Sequence, residues 1–432
     1  MLLVHVEHPS PRTAYIVSHV IGGMLGLPFR FVADRAAFLA EQGPRLHYGV
    51  DPIEGTLHVP CSGALDQPSA GDPPMGTCSG MPVLFPVGDD HDLFAAAFYL
   101  LALVDELRCP ARDAHDRIPS EALFTVRSGL ADRPWLDRWA LDLDRRLRER
   151  WPTLPALQRR YTHTATVDMD NVLRYAGRPF SRALGATLKD LAALRFGAVV
   201  ERWMVRLGLR SDPYIKAIEL VRRHVPLVSR PILFFLTKGE GAHDHAVGSH
   251  RWTRDLWQLL DGRHGAPALR LGIHPSYRSS EDERAHFQEV FAFEMDLQVP
   301  RDASRQHFLR WRLPGTLRHV AHMKFTEEHT LGFADRVGFR ASTCTPFPWY
   351  DIEREEETGL MLVPFHAMDS ALIERKGLGP DAVVEAMNAI SDEVRSVNGT
   401  FVSVWHDRYL SGHREFGPWP VVFERVLQHA KA

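Results

Sequence analysis

Two rhythms of apolar and polar positions divide the chain. From about residue 157 onward, short apolar and β-branched runs alternate with longer stretches of helical periodicity. Strands are expected at 164–168, 231–236, 269–274, 298–307, 322–326, 339–345, 360–365 and 400–405. Between them, 252–260, 281–297 and 381–397 read as helices, with Ser279 and Ser280 ahead of acidic residues as an expected N-cap. Strands alternating with helices pair in parallel, and seven or eight of them in one domain imply a closed barrel. An open doubly wound sheet is the other arrangement. The stretch 178–224, rich in Leu, Ala and Arg, reads as a helical insertion that caps the barrel or touches the first region.

The first rhythm is less regular. An apolar run at 2–6 predicts a strand, and Gly- and Pro-rich turns follow between residues 60 and 86. Residues 92–107, DLFAAAFYLLALVDEL, are apolar around most of a helical circumference, which predicts a buried helix. A second helix, 134–150, closes on the basic run RRLRERW. The pattern thus predicts a small mixed α+β domain over 1–155 and an α/β domain over 156–432.

Composition narrows the function classes. With 51 basic against 54 acidic residues, the chain has no global field to gather nucleic acid or an anionic membrane. Cys61, Cys78, Cys109 and Cys344 have neither C-x-x-C spacing nor the density of a disulfide framework, although one bridge among the first three is compatible with the spacing. The start MLLVHVEHPSP has no basic n-region, and no uncharged run reaches membrane-spanning length. A soluble, cytoplasmic protein is the expectation.

The chemistry lies at the strand ends. Strand after strand closes on a group able to bind metal or move a proton: Asp168 and Asp170, Asp244 in the following loop, His274, Arg305 with His307, Glu328, Asp369 and His406. In a parallel barrel these ends share one face. In TATVDMDN two carboxylates at i and i+2 can enter one site, one as metal ligand and one as base; a solvated turn or a helix cap is the plainer reading. His274, stopped by Pro275, has the character of a zinc ligand, though a lone His is more often structural. In SRQHFLRW, Arg305 can clamp Asp168 and His307 can complete a metal shell, or both can be an ordinary polar terminus. In TFVSVWHDRYL, His406 can protonate a leaving amine while Trp405 or Trp349 packs on a sugar face; alternatively the Trp is core. His243, His245 and His250 read as a solvated loop, with Asp244 as the member facing the site. Glu328 and Asp244 are expected on the substrate side.

Taken in order, TVDMDN, FFLTKGEGAHD, GIHPSY, SRQHFLRW, LGFADRVGFRAST, PFHAMD and VWHDRYLS resemble the polysaccharide deacetylase superfamily (NodB-homology, carbohydrate esterase family 4-like). The likeness runs from about residue 160 to the C-terminus. HDLFAAAFYLLALVDEL and DAHDRIPSEA are similar to bacterial members with an uncharacterised N-terminal domain. The resemblance implies a distorted (β/α) barrel of seven or eight strands and a divalent metal, zinc first among them. It implies removal of acetyl groups from an N-acetylated glycan or glycan precursor. Asp168 then matches the base, Asp170 the metal aspartate, His274 the first metal histidine, Arg305 the residue that orients the base and His406 the general acid. The family's second histidine, four residues after the first, is Arg278 here, so His307 is expected as the replacement ligand. Met169 separates the two aspartates, and Glu328–His329 stands where related chains carry an acidic–aromatic pair.

These departures keep two alternatives open. One is a deacetylase-like barrel that binds carbohydrate without turnover. The other is a metal-free glycosidase using Asp168 and Glu328 as paired carboxylates.

Overall fold

A computed structural model describes residues 1–66, 71–227, 231–239, 241–260 and 269–431. Glu240 of FFLTKGEGAHD and residues 67–70 of the expected turn region lie outside the described residues.

The opening run LLVHV is buried at every position, as a strand covered on both faces requires. This strand, β1 (Leu2–Val6), pairs in parallel with β2 (Phe29–Phe31) and β3 (Arg45–Gly49), and β3 pairs in parallel with β4 (Leu57–Pro60). The first region is therefore built on a parallel sheet rather than the mixed α+β arrangement expected. Parallel neighbours need crossovers, and the helices Pro11–Val17 and Arg35–Ala40 supply two of them. Two short antiparallel ladders follow, β5 (Met75–Cys78) with β6 (Met81–Leu84) and β7 (Pro86–Val87) with β8 (Asp90–His91). The helix expected over 92–107 breaks into Leu93–Leu101 and Val104–Arg108, because Leu103 adopts a left-handed conformation at φ 54°. Trp135–Arg150 forms the amphipathic helix that the pattern predicts.

The second region is a nine-stranded sheet. Its strands are β9 (Thr162–Met169), β10 (Ile232–Phe235), β11 (Arg270–Ile273), β12 (Ala303–Ser304), β13 (Glu327–Glu328), β14 (Phe347–Asp351), β15 (Glu356–Leu362), β16 (Ala367–Met368) and β17 (Thr400–His406). The order is β14-β15-β13-β12-β11-β10-β9-β17-β16, parallel throughout except for β14 against β15. Residues 363–366 alone separate β15, which lies beside β13, from β16, which lies beside β17. Val363 donates its N–H to the Glu328 carbonyl (2.9 Å) and His366 donates to Val402 (3.0 Å). One stretch of chain thus touches both ends of the parallel sheet, and five Cα steps bound the gap to roughly 18 Å.

Three expected strands changed. His322 instead ends a helix, Gly315–His322, which buries Leu317 and Val320 at i and i+3, and 323–326 turn away from it; the strand begins only at Glu327. Residues 339–345 form no strand because side chains hold them in an irregular path. Buried Asp137 accepts hydrogen bonds from the Thr343 and Thr345 hydroxyls (2.7 and 2.6 Å) and from the Cys344 N–H (3.0 Å), and Ser342 is left-handed at φ 53°. The expected strand 298–307 contracts to two residues. Asp282, not Ser279 or Ser280, caps the helix Glu283–Leu297, accepting from the Ala285 N–H at 2.9 Å.

The insertion forms three helices, Phe180–Ala192, Phe196–Arg206 and Ile215–His224. The third packs on the helix Trp419–His429, where His224 meets Glu424 at 3.0 Å. The two regions share one apolar core in which Tyr15 and Phe98 of the first stack on Tyr350 of the second at 4.9 and 5.3 Å. Buried Arg340 forks onto both oxygens of buried Glu106 at 2.7 Å. All four cysteines are free. Among the described residues, no helix is long and apolar enough to cross a membrane.

Candidate metal centre

Register places the chemistry before any side chain is considered. Phe235 of β10 lies level with Met169 of β9 and with Ile273 of β11, and Ile273 lies level with Ser304 of β12. Asp170, His274 and Arg305 therefore each stand one residue beyond the same rim. On the other side of β9, His406 lies level with Asp168.

Three ligand groups converge at that rim. Oδ1 of Asp170 lies 3.3 Å from Nε2 of His274 and 3.6 Å from Nε2 of His307. The other nitrogen of each ring is tied elsewhere. Nδ1 of His274 faces the Arg305 carbonyl at 2.6 Å, and Nδ1 of His307 faces Oδ1 of Asp244 at 3.0 Å. A carbonyl or carboxylate oxygen only accepts, so each Nδ1 carries a proton, and each ring turns its Nε2 toward Asp170. Oδ1 of Asp170 is buried and has no hydrogen-bond partner. An unpaired carboxylate oxygen facing the Nε2 atoms of two imidazoles is a site for positive charge, and it fits a divalent cation.

The fields agree with this. Burial would raise the Asp170 carboxyl, but the neighbouring His274, His307 and His406 outweigh it and hold the group well below the usual carboxylate range. Burial lowers His274, yet Asp168 and Asp170 pull it above its ordinary value. Asp244 is desolvated as well, but bonding to His307 keeps its carboxyl low and therefore ionised.

Two further assemblies flank the triad. Arg305, fully buried, donates Nη1 to Oδ1 of Asp168 at 2.7 Å and Nε to the His329 carbonyl at 3.1 Å, with its plane over Phe234. The second carboxylate oxygen of Asp168 faces His274 Nε2 at 4.0 Å. On the opposite side, His406 is gripped by buried Asp369, which accepts from both its ring Nδ1 (2.6 Å) and its backbone N–H (2.7 Å). Burial disfavours the imidazolium, but Asp369 and Asp170 outweigh it and carry His406 up to about 9, against the opposing charge of Arg408. Its Nε2 points toward Oδ2 of Asp170 at 4.0 Å.

These groups open on a cavity of about 140 Å³ lined by Asp168, Asp170, His274, His307 and His406 together with Phe308, Glu374, Arg375 and Arg408. Arg117 reaches it from the first region, anchored by Asp113 at 2.7 Å and by the Phe308 carbonyl at 3.1 Å. The first region had offered no catalytic spacing, and this contribution depends on packing that the sequence does not reveal. Asp369 stood among the strand-end groups, but its grip on His406 follows only from the pairing of β16 with β17.

Other expected site residues stand elsewhere. Trp405 is fully buried, donates its Nε1 hydrogen to Ser403 and packs edge-on against Phe423. Trp349 is buried on β14 and lines a different groove, with Arg318 and Asp351. Glu328 is fully buried and bonded to Thr330; it does not line the cavity, and burial raises its carboxyl to about 7. Asp244 touches the back of His307 rather than the open cavity, and also accepts from the Tyr277 N–H at 3.0 Å. Arg278 points into solvent, its side chain 74% exposed and paired with Asp282, so it leaves the place of a third ligand to His307.

Comparison with known proteins reaches parts of the chain. Residues 2–152 match a family of unknown function, DUF7033. No curated protein matches. One crystal structure, provisionally assigned by its name as a polysaccharide deacetylase from Mycobacterium smegmatis, is 13% identical over 63% of this chain and 86% of its own, with a TM-score of 0.38.

Proposed function

We propose that this chain is a metal-dependent hydrolase that removes N-acetyl groups from a glycan or glycan precursor. The observation that carries the reading is the unpartnered Oδ1 of Asp170 facing Nε2 of both His274 and His307, each ring locked from behind. Two imidazoles and one carboxylate suit zinc and leave further coordination positions open, the arrangement of a catalytic rather than a structural site. A distorted (β/α) barrel is the matching architecture, supported by the four residues that join the two ends of the parallel sheet. In this reading 156–432 is the catalytic unit, and the region before it supplies Arg117 to the rim.

Asp170, His274 and His307 would hold the ion, whose chemistry is to polarise an acetyl carbonyl and a water. Asp168 is the base. Its bond to Arg305 fixes the carboxylate in one orientation and leaves its other oxygen facing the pocket. His406, with Asp369 stabilising its charged form, lines the same cavity from the strand beside Asp168 and delivers the proton that the departing sugar amine needs. The residues predicted to stack on sugar do not reach the cavity, so sugar contacts fall to Phe308, Arg117 and the loops around them.

Acetate release from N-acetylated oligosaccharides by metal-loaded protein, abolished in Asp168→Asn with metal content unchanged, tests the assignment. Equal turnover in that variant would remove Asp168 from the mechanism. Turnover that survives complete chelation would remove the metal.

A further inference from the structure

The helical insertion builds a second cavity beside the metal centre. It measures about 490 Å³, within the span of small-molecule pockets, roughly 300–1,000 Å³. Arg174, Arg178, Arg182 and Arg202 line it, and Asn171, the residue after Asp170, forms part of its wall. Consecutive residues at the end of β9, Asp170 and Asn171, thus stand in the walls of the two cavities.

The arginines are incompletely neutralised. Arg202 has a carboxylate partner, Asp190. Arg174 donates to the hydroxyls of Tyr214 (2.8 Å) and Tyr175 (3.2 Å), and Arg178 donates to the backbone carbonyls of His245 and Leu173. Arg182 has no hydrogen-bond or ion-pair partner among the described residues. Burial and the Arg182 charge hold Arg178 below its ordinary value, with Asp212 and Asp407 only partly offsetting them. Three guanidiniums without a carboxylate partner on one concave wall repel one another, in a chain whose net charge is −3. A bound dianion removes that repulsion, and the planar fork of arginine matches the oxygens of a phosphate.

We propose that this cavity binds the phosphate of a phosphorylated sugar or glycan, held by Arg174, Arg178 and Arg182, so that the hydrolase acts on a phosphate-bearing N-acetylated substrate. The anion site stands on its own geometry; its assignment to the substrate rests on the hydrolase reading above.

Isothermal titration of the full-length, metal-loaded protein with inorganic phosphate, pyrophosphate, N-acetylglucosamine 1-phosphate and glucuronate tests it. Binding of the phosphate compounds is expected, with glucuronate at least about tenfold weaker. Arg182 is exposed, so Arg182→Glu leaves the core intact; it should weaken phosphate binding by about tenfold or more, and Arg178→Ala should do the same. His274→Ala should bind pyrophosphate as the wild type does. Absent phosphate binding, indifference to Arg182→Glu, or glucuronate binding as tight as phosphate would each overturn the proposal. Phosphate binding in a protein that takes up no metal would keep the anion site and sink the hydrolase reading. Acetate release with no phosphate binding would do the reverse.

Discussion

The described residues contain two groupings whose side chains could hold a metal, and they differ in how their ligand atoms are held. Asp170, His274 and His307 form one; Cys78, Asp90 and His91, on the small antiparallel ladders of the first region, form the other. In the first, each imidazole is oriented from behind and the facing carboxylate oxygen is left unpaired. In the second, His91 is buried with neither nitrogen hydrogen-bonded, but Asp90 is already committed. One of its oxygens accepts from the His91 N–H at 2.9 Å, and the other pairs with Arg146 at 2.9 Å, whereas Asp170 keeps Oδ1 unpaired and meets Arg408 through Oδ2 at 3.7 Å. A cation entering there would meet the guanidinium of Arg146 beside its only carboxylate. Closeness of ligand atoms costs a fold little, whereas a preorganised outer shell and an unpaired acceptor are what distinguish a centre from a coincidence.

Substitutions sharpen that contrast, beginning with the largest effect. Asp168→Asn and His406→Ala should each lower turnover by about 10²–10⁴-fold while metal content, read by mass spectrometry, stays at the wild-type level. Asp170→Ala and His274→Ala should instead lose the metal, and Cys78→Ala should keep it. Metal lost from Cys78→Ala and retained in His274→Ala would invert the comparison.

Glu328 tests the burial that separates the strand-end carboxylates. Desolvation raises its carboxyl to about 7 in the folded chain, against 4.5 for an ordinary glutamate. The unfolded chain releases this proton near 4.5 and the folded chain holds it to about 7. Glu328 therefore contributes stability that is fully present below pH 4.5, falls as pH rises, and is gone above about 7, a change of about 3 kcal/mol. Denaturant titrations of wild type and Glu328→Gln across that window should diverge by this amount, the variant lacking the decline. Parallel curves would show that Glu328 ionises in the folded state as it does in water.

Smaller effects reach the outer shell. Asp244→Asn should weaken metal affinity by about 10–100-fold through a less well oriented His307, in competition titrations with a chelating dye. Arg278→Ala should change neither metal content nor, beyond about 0.5 kcal/mol, stability, since its side chain lies in solvent.

Much of the centre was legible because parallel strands carry their C-terminal residues to one rim. Asp168, Asp170, His274, Arg305, His307 and His406 are polar groups at or just beyond the ends of β-rich runs, and the structure brings five of them to one pocket with Arg305 buried behind Asp168. Trp405 failed on a rule available in the sequence. Neighbours on a strand face opposite ways, so a residue next to His406 turns away from the face that His406 serves. Trp349 failed because β14 runs antiparallel to β15, away from the rim geometry of the parallel strands. Residues 339–345 looked like a strand since Phe339, Thr343 and Thr345 favour β structure, but Asp137, some two hundred residues earlier, captures their polar groups. Arg117 and the arginine-lined cavity depend on contacts between distant segments, and no local spacing encodes them. The parallel pairing of β1 to β4 was missed for a related reason: short crossovers leave little periodic signal.

The most direct test is anomalous diffraction at the zinc absorption edge from crystals of protein purified with zinc. The expected result is one strong peak within coordination distance of Asp170 Oδ1, His274 Nε2 and His307 Nε2. A peak at Cys78 and His91 with none at Asp170, or no peak in fully ordered crystals, would contradict the central assignment.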